Sequence, residues 1–226
     1  MDSELIARRW DAEYRLGRYA EDPPLPFVTE IFHTLRRDPV ASDGIGLYVG
    51  CGNGRNYLPL VDRGLRLCGL DLSLESLRQL AQRRPGTSLP LICGEFGAFY
   101  SACPFHYLVA LQVFQHGTEA DVARYFNHAS ALLRPGGLFF LRVNSVSTQI
   151  YHDHTVIERS ALGGITVRYD AGPKTGLPVH FYSREEVCEL TRERFQSVTG
   201  PREDVIPRSA PKRGFWVQWE GVWRRR

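Results

Sequence analysis

Three glycines alternate in the run Leu47-Tyr48-Val49-Gly50-Cys51-Gly52-Asn53-Gly54-Arg55-Asn56. They follow a short apolar stretch and precede a helix-like one. Glycine takes positive φ at no steric cost and lets main-chain N–H groups approach a ligand. A strand that ends in such a turn and feeds a helix belongs to an α/β sheet. The spacing is G-x-G-x-G. A dinucleotide turn needs G-x-G-x-x-G, and a phosphate-cradling P-loop needs a following Gly-Lys-Ser/Thr. The turn therefore suits a nucleoside that lacks a pyrophosphate.

From about residue 45 to 145, strand and helix signals alternate. Gly46–Val49, Leu65–Leu70, Leu89–Cys93, Tyr107–Leu111 and Leu138–Val143 read as strands. Between them, a helix starts near Asn56, and Ser73 precedes Leu74, Leu77, Leu80 and Ala81 at helical spacing. Val122, Tyr125, Phe126, Ala129, Leu132 and Leu133 line one face of a third helix, which Arg134-Pro135-Gly136-Gly137 ends. Near-continuous apolar strands joined by helices predict a parallel sheet covered on both faces, hence a doubly wound, Rossmann-like α/β fold. In that fold ligands sit beyond the carboxyl ends of the strands. Both the glycine turn and Asp71 lie there.

The flanks are less regular. Leu5, Trp10 and Tyr14 mark one helix, and a second runs from about Phe27 to Arg36. After the fifth strand, Ile165–Tyr169 and Pro178–Tyr182 are expected to pair as a hairpin. Ser183 with Glu186 fits a capping box, and Phe195–Thr199 and Phe215–Trp223 read as closing strands. The expected organisation is a single domain. Residues 1–40 form a helical cap, 45–145 a ligand-binding core, 145–182 an insertion on the acceptor side, and 183–226 the closing helix and strands.

Composition narrows the class. The net charge of +3 does not by itself argue for nucleic acid. All but two of the 28 Lys and Arg side chains are arginine, the exceptions being Lys174 and Lys212. Met1-Asp2-Ser3-Glu4 lacks the basic and apolar regions of a signal peptide, and no apolar run is long enough to span a bilayer. The five cysteines show no C-x-x-C spacing and read as free buried thiols of a reducing cytoplasm.

Asp71 follows Gly54 by 17 positions, the reach of one crossover. A carboxylate there either accepts both ribose hydroxyls or caps the next helix. Leu72 beside it would pack on a purine face or in the core. Taken together, Val49-Gly50-Cys51-Gly52-Asn53-Gly54-Arg55-Asn56, Gly69-Leu70-Asp71-Leu72-Ser73 and Leu132-Leu133-Arg134-Pro135-Gly136-Gly137 resemble the motifs of class I S-adenosylmethionine-dependent methyltransferases. The Gly-Cys-Gly-Asn-Gly-Arg-Asn string is most similar to the small-molecule and tellurite-resistance-type members. The resemblance covers residues 45–145 and extends weakly to Trp10-Asp11-x-x-Tyr14.

The resemblance implies a seven-stranded sheet with its last strand antiparallel. It also implies S-adenosylmethionine as methyl donor, with S-adenosylhomocysteine as product. Gly50, Cys51, Gly52, Gly54 and Asn56 would hold its methionine and ribose portions, and Asp71 the ribose hydroxyls. Glu95 and Phe96 would meet the adenine, and Gln112 through His116 would border the transferable methyl. Tyr48 stands where the family usually has an acid, and His106 where it often has Asp.

A sulfonium methyl is already activated, so the protein need only align an acceptor in line with the S–CH3 bond and exclude water. His116 is the candidate general base, or else a capping histidine. Trp10, Tyr14, His116, Tyr151, His152 and His154 are the expected acceptor lining, and Tyr19 joins Trp10 and Tyr14 as lid or helix staple. No metal site is expected. The acceptor is expected to be a small molecule, without nucleic acid or membrane; the oligomeric state is open. The alternatives are an RNA- or protein-directed enzyme, supported by Arg202, Arg208, Lys212, Arg213 and Arg224–Arg226, and a non-catalytic binding module, suggested by Tyr48.

Overall fold

The computed structural model describes residues 3–39, 41–210 and 213–226. Lys212 lies outside them, as do Met1 and Asp2 of the N-terminal reading. The first half of the chain runs α1 (Ser3–Arg15), α2 (Phe27–Arg37), β1 (Ile45–Val49), α3 (Leu58–Val61), β2 (Arg66–Asp71), α4 (Leu74–Gln82), β3 (Leu91–Cys93) and, after a 3-10 turn at Phe96–Ala98, β4 (Phe105–Leu111). The second half runs α5 (Glu119–Leu132), β5 (Leu133–Asn144), β6 (His154–Arg159), β7 (Ile165–Tyr169), β8 (Pro178–Phe181), α6 (Arg184–Arg192), β9 (Phe195–Pro207) and β10 (Phe215–Arg225). Seven strands form one sheet in the order β3-β2-β1-β4-β5-β10-β9. β1 pairs parallel with β2 and β2 with β3, whereas β10, the last strand of the chain, is antiparallel to both β5 and β9. This is the doubly wound, Rossmann-like α/β sheet that the strand pattern demands.

The chain divides into two compact units, Met1–Val109 with Leu132–Gly137, and Ala110–Ala131 with Leu138–Arg226. In the first, Leu47, Leu60, Leu80, Tyr107 and Leu108 are fully buried. Gly46 is small because it must be: a Cβ there would lie 2.0 Å from the Tyr107 ring. Ser73 caps α4 as expected, its side chain accepting from the Ser76 N–H at 3.1 Å. The helix expected from Asn56 is only a single turn, Leu58–Val61, with Pro59 in its first turn and Gly64 taking φ +88° just beyond its end.

In the second unit, Phe114, Phe126, Phe139, Phe195 and Trp223 form an aromatic core, with Phe114–Phe139 centroids 5.8 Å apart and Phe139–Phe195 5.4 Å apart. Thr118 and Asp121 cap α5 reciprocally, Asp121 accepting from the Thr118 N–H at 2.8 Å. The insertion is a three-stranded antiparallel sheet, β6-β7-β8, not a two-stranded hairpin. The β7–β8 pair is the one expected, with Ile165 opposite Phe181. β6 is the addition, packing Val156 on Val167, Val179 and Phe181. β9 continues beyond Thr199 to Pro207.

Candidate active site

Within the first unit, the glycine turn is built as the spacing requires. Gly50, Gly52 and Gly54 take φ of 67°, 54° and 93°, a region that side chains avoid. The Gly50 and Cys51 N–H groups both donate to the Leu70 carbonyl, at 2.8 and 3.2 Å. This fastens the turn to the end of β2, where Asp71 stands. Asp71 Oδ2 accepts from the Gly52 N–H at 2.7 Å and Oδ1 from the Ser73 N–H at 2.9 Å. A carboxylate has about four lone-pair positions, so two backbone bonds and a bond from the Ser76 side chain still leave one acceptor position for a ribose hydroxyl. The ribose-binding and capping readings of Asp71 are therefore compatible. Burial pushes its carboxyl above the usual range, against the pull of the Ser73 and Gly52 N–H bonds, with the charge of Asp11 adding to the rise.

The N-terminal segment is tied over this turn. Asp11 Oδ1 accepts from Ser73 Oγ at 2.6 Å and from the Glu75 N–H at 3.1 Å. Gln79 donates to the Tyr14 carbonyl at 3.0 Å, so α1 lies against α4. A Cβ on Gly52 would come 2.5 Å from the Tyr14 hydroxyl. Burial raises the Tyr14 phenol, and the next largest cause is the charge of Asp71. Tyr14 thus joins the turn and Asp71, with Tyr19 beside it at 6.0 Å between ring centroids. Trp10 is half-buried on α1.

Asn56 Oδ1 accepts from the Leu25 N–H at 2.9 Å, and its side chain also bonds Tyr48. It holds the N-terminal loop, which Arg55 also grips through the Pro23 carbonyl at 2.7 Å. Tyr48 is fully buried and strongly raised by burial, and its ring meets Tyr57 edge-on at 6.0 Å. It is a neutral core residue and supplies no charge. His106 is also structural, its Nδ1 accepting from the Ile45 N–H at 3.2 Å.

Leu72 is half-buried after β2, Glu95 is exposed at the start of the 3-10 turn, and Phe96 is buried in that turn. Of the cysteines, only Cys51 is buried; Cys68 is half-buried, while Cys93, Cys103 and Cys188 are exposed. The expectation of buried thiols fails for those three, which fall at a strand end, in a loop and on the outer face of α6.

The second unit carries the remaining residues. Gln112, directly after β4, takes φ +60°, a left-handed backbone unusual for a side-chain residue and typical of strained functional positions. Its N–H donates to the Arg142 carbonyl at 2.7 Å and its amide to Gln218 at 3.1 Å. His116 pairs as a bridge with Val179. Burial lowers its pKa well below the usual histidine value, the charge of Lys174 adds to this, and a bond to the Gln112 carbonyl opposes it. His116 is therefore a neutral imidazole at pH 7, the state a proton acceptor needs.

Tyr151, His152 and His154 gather at the start of β6. His152 meets Tyr151 at 5.2 Å and Tyr169 at 6.3 Å, and His154 Nδ1 lies 2.9 Å from the His152 carbonyl oxygen. The described residues hold no cluster of three or more His, Cys, Asp or Glu suited to a metal ion. No described helix is long and apolar enough to cross a membrane.

Three arrangements escaped the sequence. Arg142 is completely buried on β5 and pairs with Glu220 on β10 and, at 2.8 Å, with Asp204 on β9. His180 Nε2 lies 2.9 Å from Glu186 and its Nδ1 2.9 Å from Thr166 Oγ1, all buried. Glu186 thus spends on His180 the carboxylate that a capping box would turn back on Ser183. Of the arginines that suggested a nucleic-acid surface, one is paired with a carboxylate and one packs on aromatic rings. Arg202 pairs with Glu220 at 3.1 Å, and Arg208 lies over the Tyr151 and Trp216 rings.

Known proteins agree with the geometry. A family profile described as "Methyltransferase domain" matches residues 47–137. A ubiquinone biosynthesis O-methyltransferase from Methylobacterium sp. (strain 4-46) is 31% identical over 119 residues, covering 46% of this chain and 44% of the relative. The chain thus aligns with less than half the length of that relative. Among solved structures, the 1,6-didemethyltoxoflavin-N1-methyltransferase of Burkholderia thailandensis superposes with a TM-score of 0.68 at 20% identity, covering 100% of this chain and 91% of that one. TehB from Haemophilus influenzae gives 0.66 at 14% identity, covering 96% and 67%. The glycine turn, the β2 acid and the Arg-Pro-Gly-Gly break all fall inside the segment that matches the methyltransferase-domain profile.

Proposed function

We propose that this chain transfers a methyl group from S-adenosylmethionine to a small-molecule acceptor. The observation that carries the donor assignment is the Gly52–Asp71 link. It supports a positive-φ turn in which a Cβ on Gly52 would meet the Tyr14 hydroxyl, beside a carboxylate that keeps an acceptor position for a ligand. Gly50, Gly52 and Gly54 would face the amino-acid and ribose portions, and Asp71 the ribose hydroxyls. Glu95 and Phe96 are assigned to the adenine end. Tyr48 carries no charge, so the ammonium end relies on main-chain carbonyls and the Tyr14 hydroxyl.

The donor supplies a methyl already activated on a sulfonium sulfur. This chain's own work is to hold, orient and keep water out. Gln112 fixes the end of β4, and His116 is available in its neutral form to take a proton from an acceptor that must lose one. The small-molecule reading draws on the named acceptor of the didemethyltoxoflavin enzyme and on the ubiquinone biosynthesis relative. It also draws on the pairing of Arg202 with Glu220 within the fold.

Calorimetry with S-adenosylmethionine and S-adenosylhomocysteine tests the donor, and absence of binding by both would overturn it. Transfer of labelled methyl to the low-mass fraction of an extract, with none to its RNA or protein, is the expected acceptor result. The reverse partition would refute the small-molecule reading.

A further inference from the structure

Arg208 follows β9 on the loop that returns the chain to β10. Its guanidinium carbon lies 5.8 Å from the Tyr151 ring centroid and 5.6 Å from that of Trp216. Nη2 donates to the Gln149 carbonyl at 2.7 Å. Nε is removed from solvent and has no acceptor among the described residues, and no described carboxylate pairs with this arginine. Arginine keeps its charge throughout the physiological range. The result is a cation held over two aromatic rings, with an Nε donor that no described acceptor takes up.

The surroundings are aromatic and built. Tyr151 is 49% exposed, and its ring begins a row that continues through His152 to Tyr169 and His154. His152 is seated on Gly172, where a Cβ would come 2.9 Å from its Nδ1. Trp216 is held from the other side: its Nε1 donates to Asn144 Oδ1 at 3.2 Å. Gln218 donates to the same oxygen at 3.1 Å and accepts from Gln112 at 3.1 Å. An unbroken line of hydrogen bonds therefore runs from Gln112, at the end of β4, to the ring beneath the Arg208 cation.

We propose that Arg208 is the anion-binding element of the acceptor site, and that the acceptor is a flat aromatic or heteroaromatic carboxylate. The planar fork matches a carboxylate edge-on, and the Tyr151–His152–Tyr169 row offers ring faces and edges to the rest of the molecule. An aliphatic acid gains the charge but not the stacking, and a neutral aromatic gains the reverse. The inference rests on the small-molecule reading and narrows it. A purely structural Arg208, pinning the end of β9 to the insertion, would affect stability without affecting discrimination between charged and neutral ligands.

The test uses the full chain saturated with S-adenosylhomocysteine. Hydroxybenzoates and pyridine monocarboxylates are titrated calorimetrically, each beside its own primary amide. Wild type is expected to bind at least one acid about 10- to 100-fold more tightly than its amide, the worth of charge-assisted hydrogen bonds. Arg208→Gln should bring that ratio close to one, and Arg208→Lys should keep part of it, with S-adenosylhomocysteine affinity unchanged in both. The ratio is independent of how much protein is folded. Absence of acid-over-amide preference across the set in wild type, or its survival in Arg208→Gln, overturns the inference. If uncharged low-mass acceptors are methylated equally by wild type and Arg208→Gln, this inference falls and the small-molecule reading stands. Methyl transfer confined to RNA or protein removes both.

Discussion

Asp71 is asked to do two things with one carboxylate, and their pH dependences run in opposite directions. Its pKa is raised on folding, so the ionised form costs stability at neutral pH. That cost disappears as pH falls through the raised value. Diol binding needs the ionised form. On acidification, S-adenosylhomocysteine affinity should weaken at a pH above the ordinary Asp value of about 3.9, while this residue's burden on stability lightens. Asp71→Asn is expected to lose about 10- to 100-fold in that affinity. Its folding stability should change by less than about 1 kcal/mol, since relief of a buried charge offsets one lost N–H contact. Calorimetry and urea unfolding across pH check both arms.

Gly52 makes the complementary case. With φ +54° and the Tyr14 hydroxyl 2.5 Å from where a Cβ would stand, Gly52→Ala should destabilise by about 1–2 kcal/mol and abolish donor binding; near-native binding by this variant would contradict the assigned place of the turn. Both residues were legible in the sequence because their backbone and charge requirements are local. Arg208 was not: its aromatic partners are Tyr151, 57 positions upstream, and Trp216 across a turn.

At the scale of elements, capping decides much. Ser73 and Ser183 each begin a helix where the sequence puts them, and Thr118 begins α5. The tie between α1 and α4 is the less visible device, since Asp11 completes the N-terminus of α4 from 64 residues away in sequence. Asp11→Ala should cost about 1–2 kcal/mol. Because Ser73 still caps α4, the loss should appear as faster hydrogen exchange in α1, with α4 protected as before; uniform acceleration across the first unit would assign Asp11 a global role. β6 was missed because His154-Thr155-Val156-Ile157-Glu158-Arg159 lies at the edge of a small sheet, and its inward face is only half-buried, at Val156 and Glu158. β9 was cut short at Gly200-Pro201, which reads as a breaker, although its pairing with β10 continues from Arg202 to Pro207.

For the molecule as a whole, strand order followed from the alternation of apolar runs and helices, since right-handed crossovers leave few topologies. The packing of its polar interior did not follow. Arg142 is surrounded in sequence by apolar strand residues, and only the folded sheet brings Glu220 and Asp204 to it. Ligand linkage gives a global check on the donor site. S-adenosylhomocysteine at about 100 times its dissociation constant adds about 2.7 kcal/mol. For a chain of this size that should raise Tm by roughly 5–11 °C. No shift at saturating ligand, with binding seen by calorimetry, would mean the unfolded chain binds it as well.

The two ends of the sheet settle how the protein behaves in a crowd of its own copies. An open strand edge is a template on which another chain can polymerise. At one end β3 offers only three residues, Leu91–Cys93, too short a ledge to nucleate on. At the other, β9 is long and displays Val198, Val205 and Ile206. It also interrupts its donors with Pro201 and Pro207 and sets Arg202, Glu203 and Asp204 between them. A strand arriving there meets gaps in the hydrogen-bond ladder and charges it must desolvate. Replacing either proline on β9 would remove one of those gaps, making that edge the first place to look for fibrils.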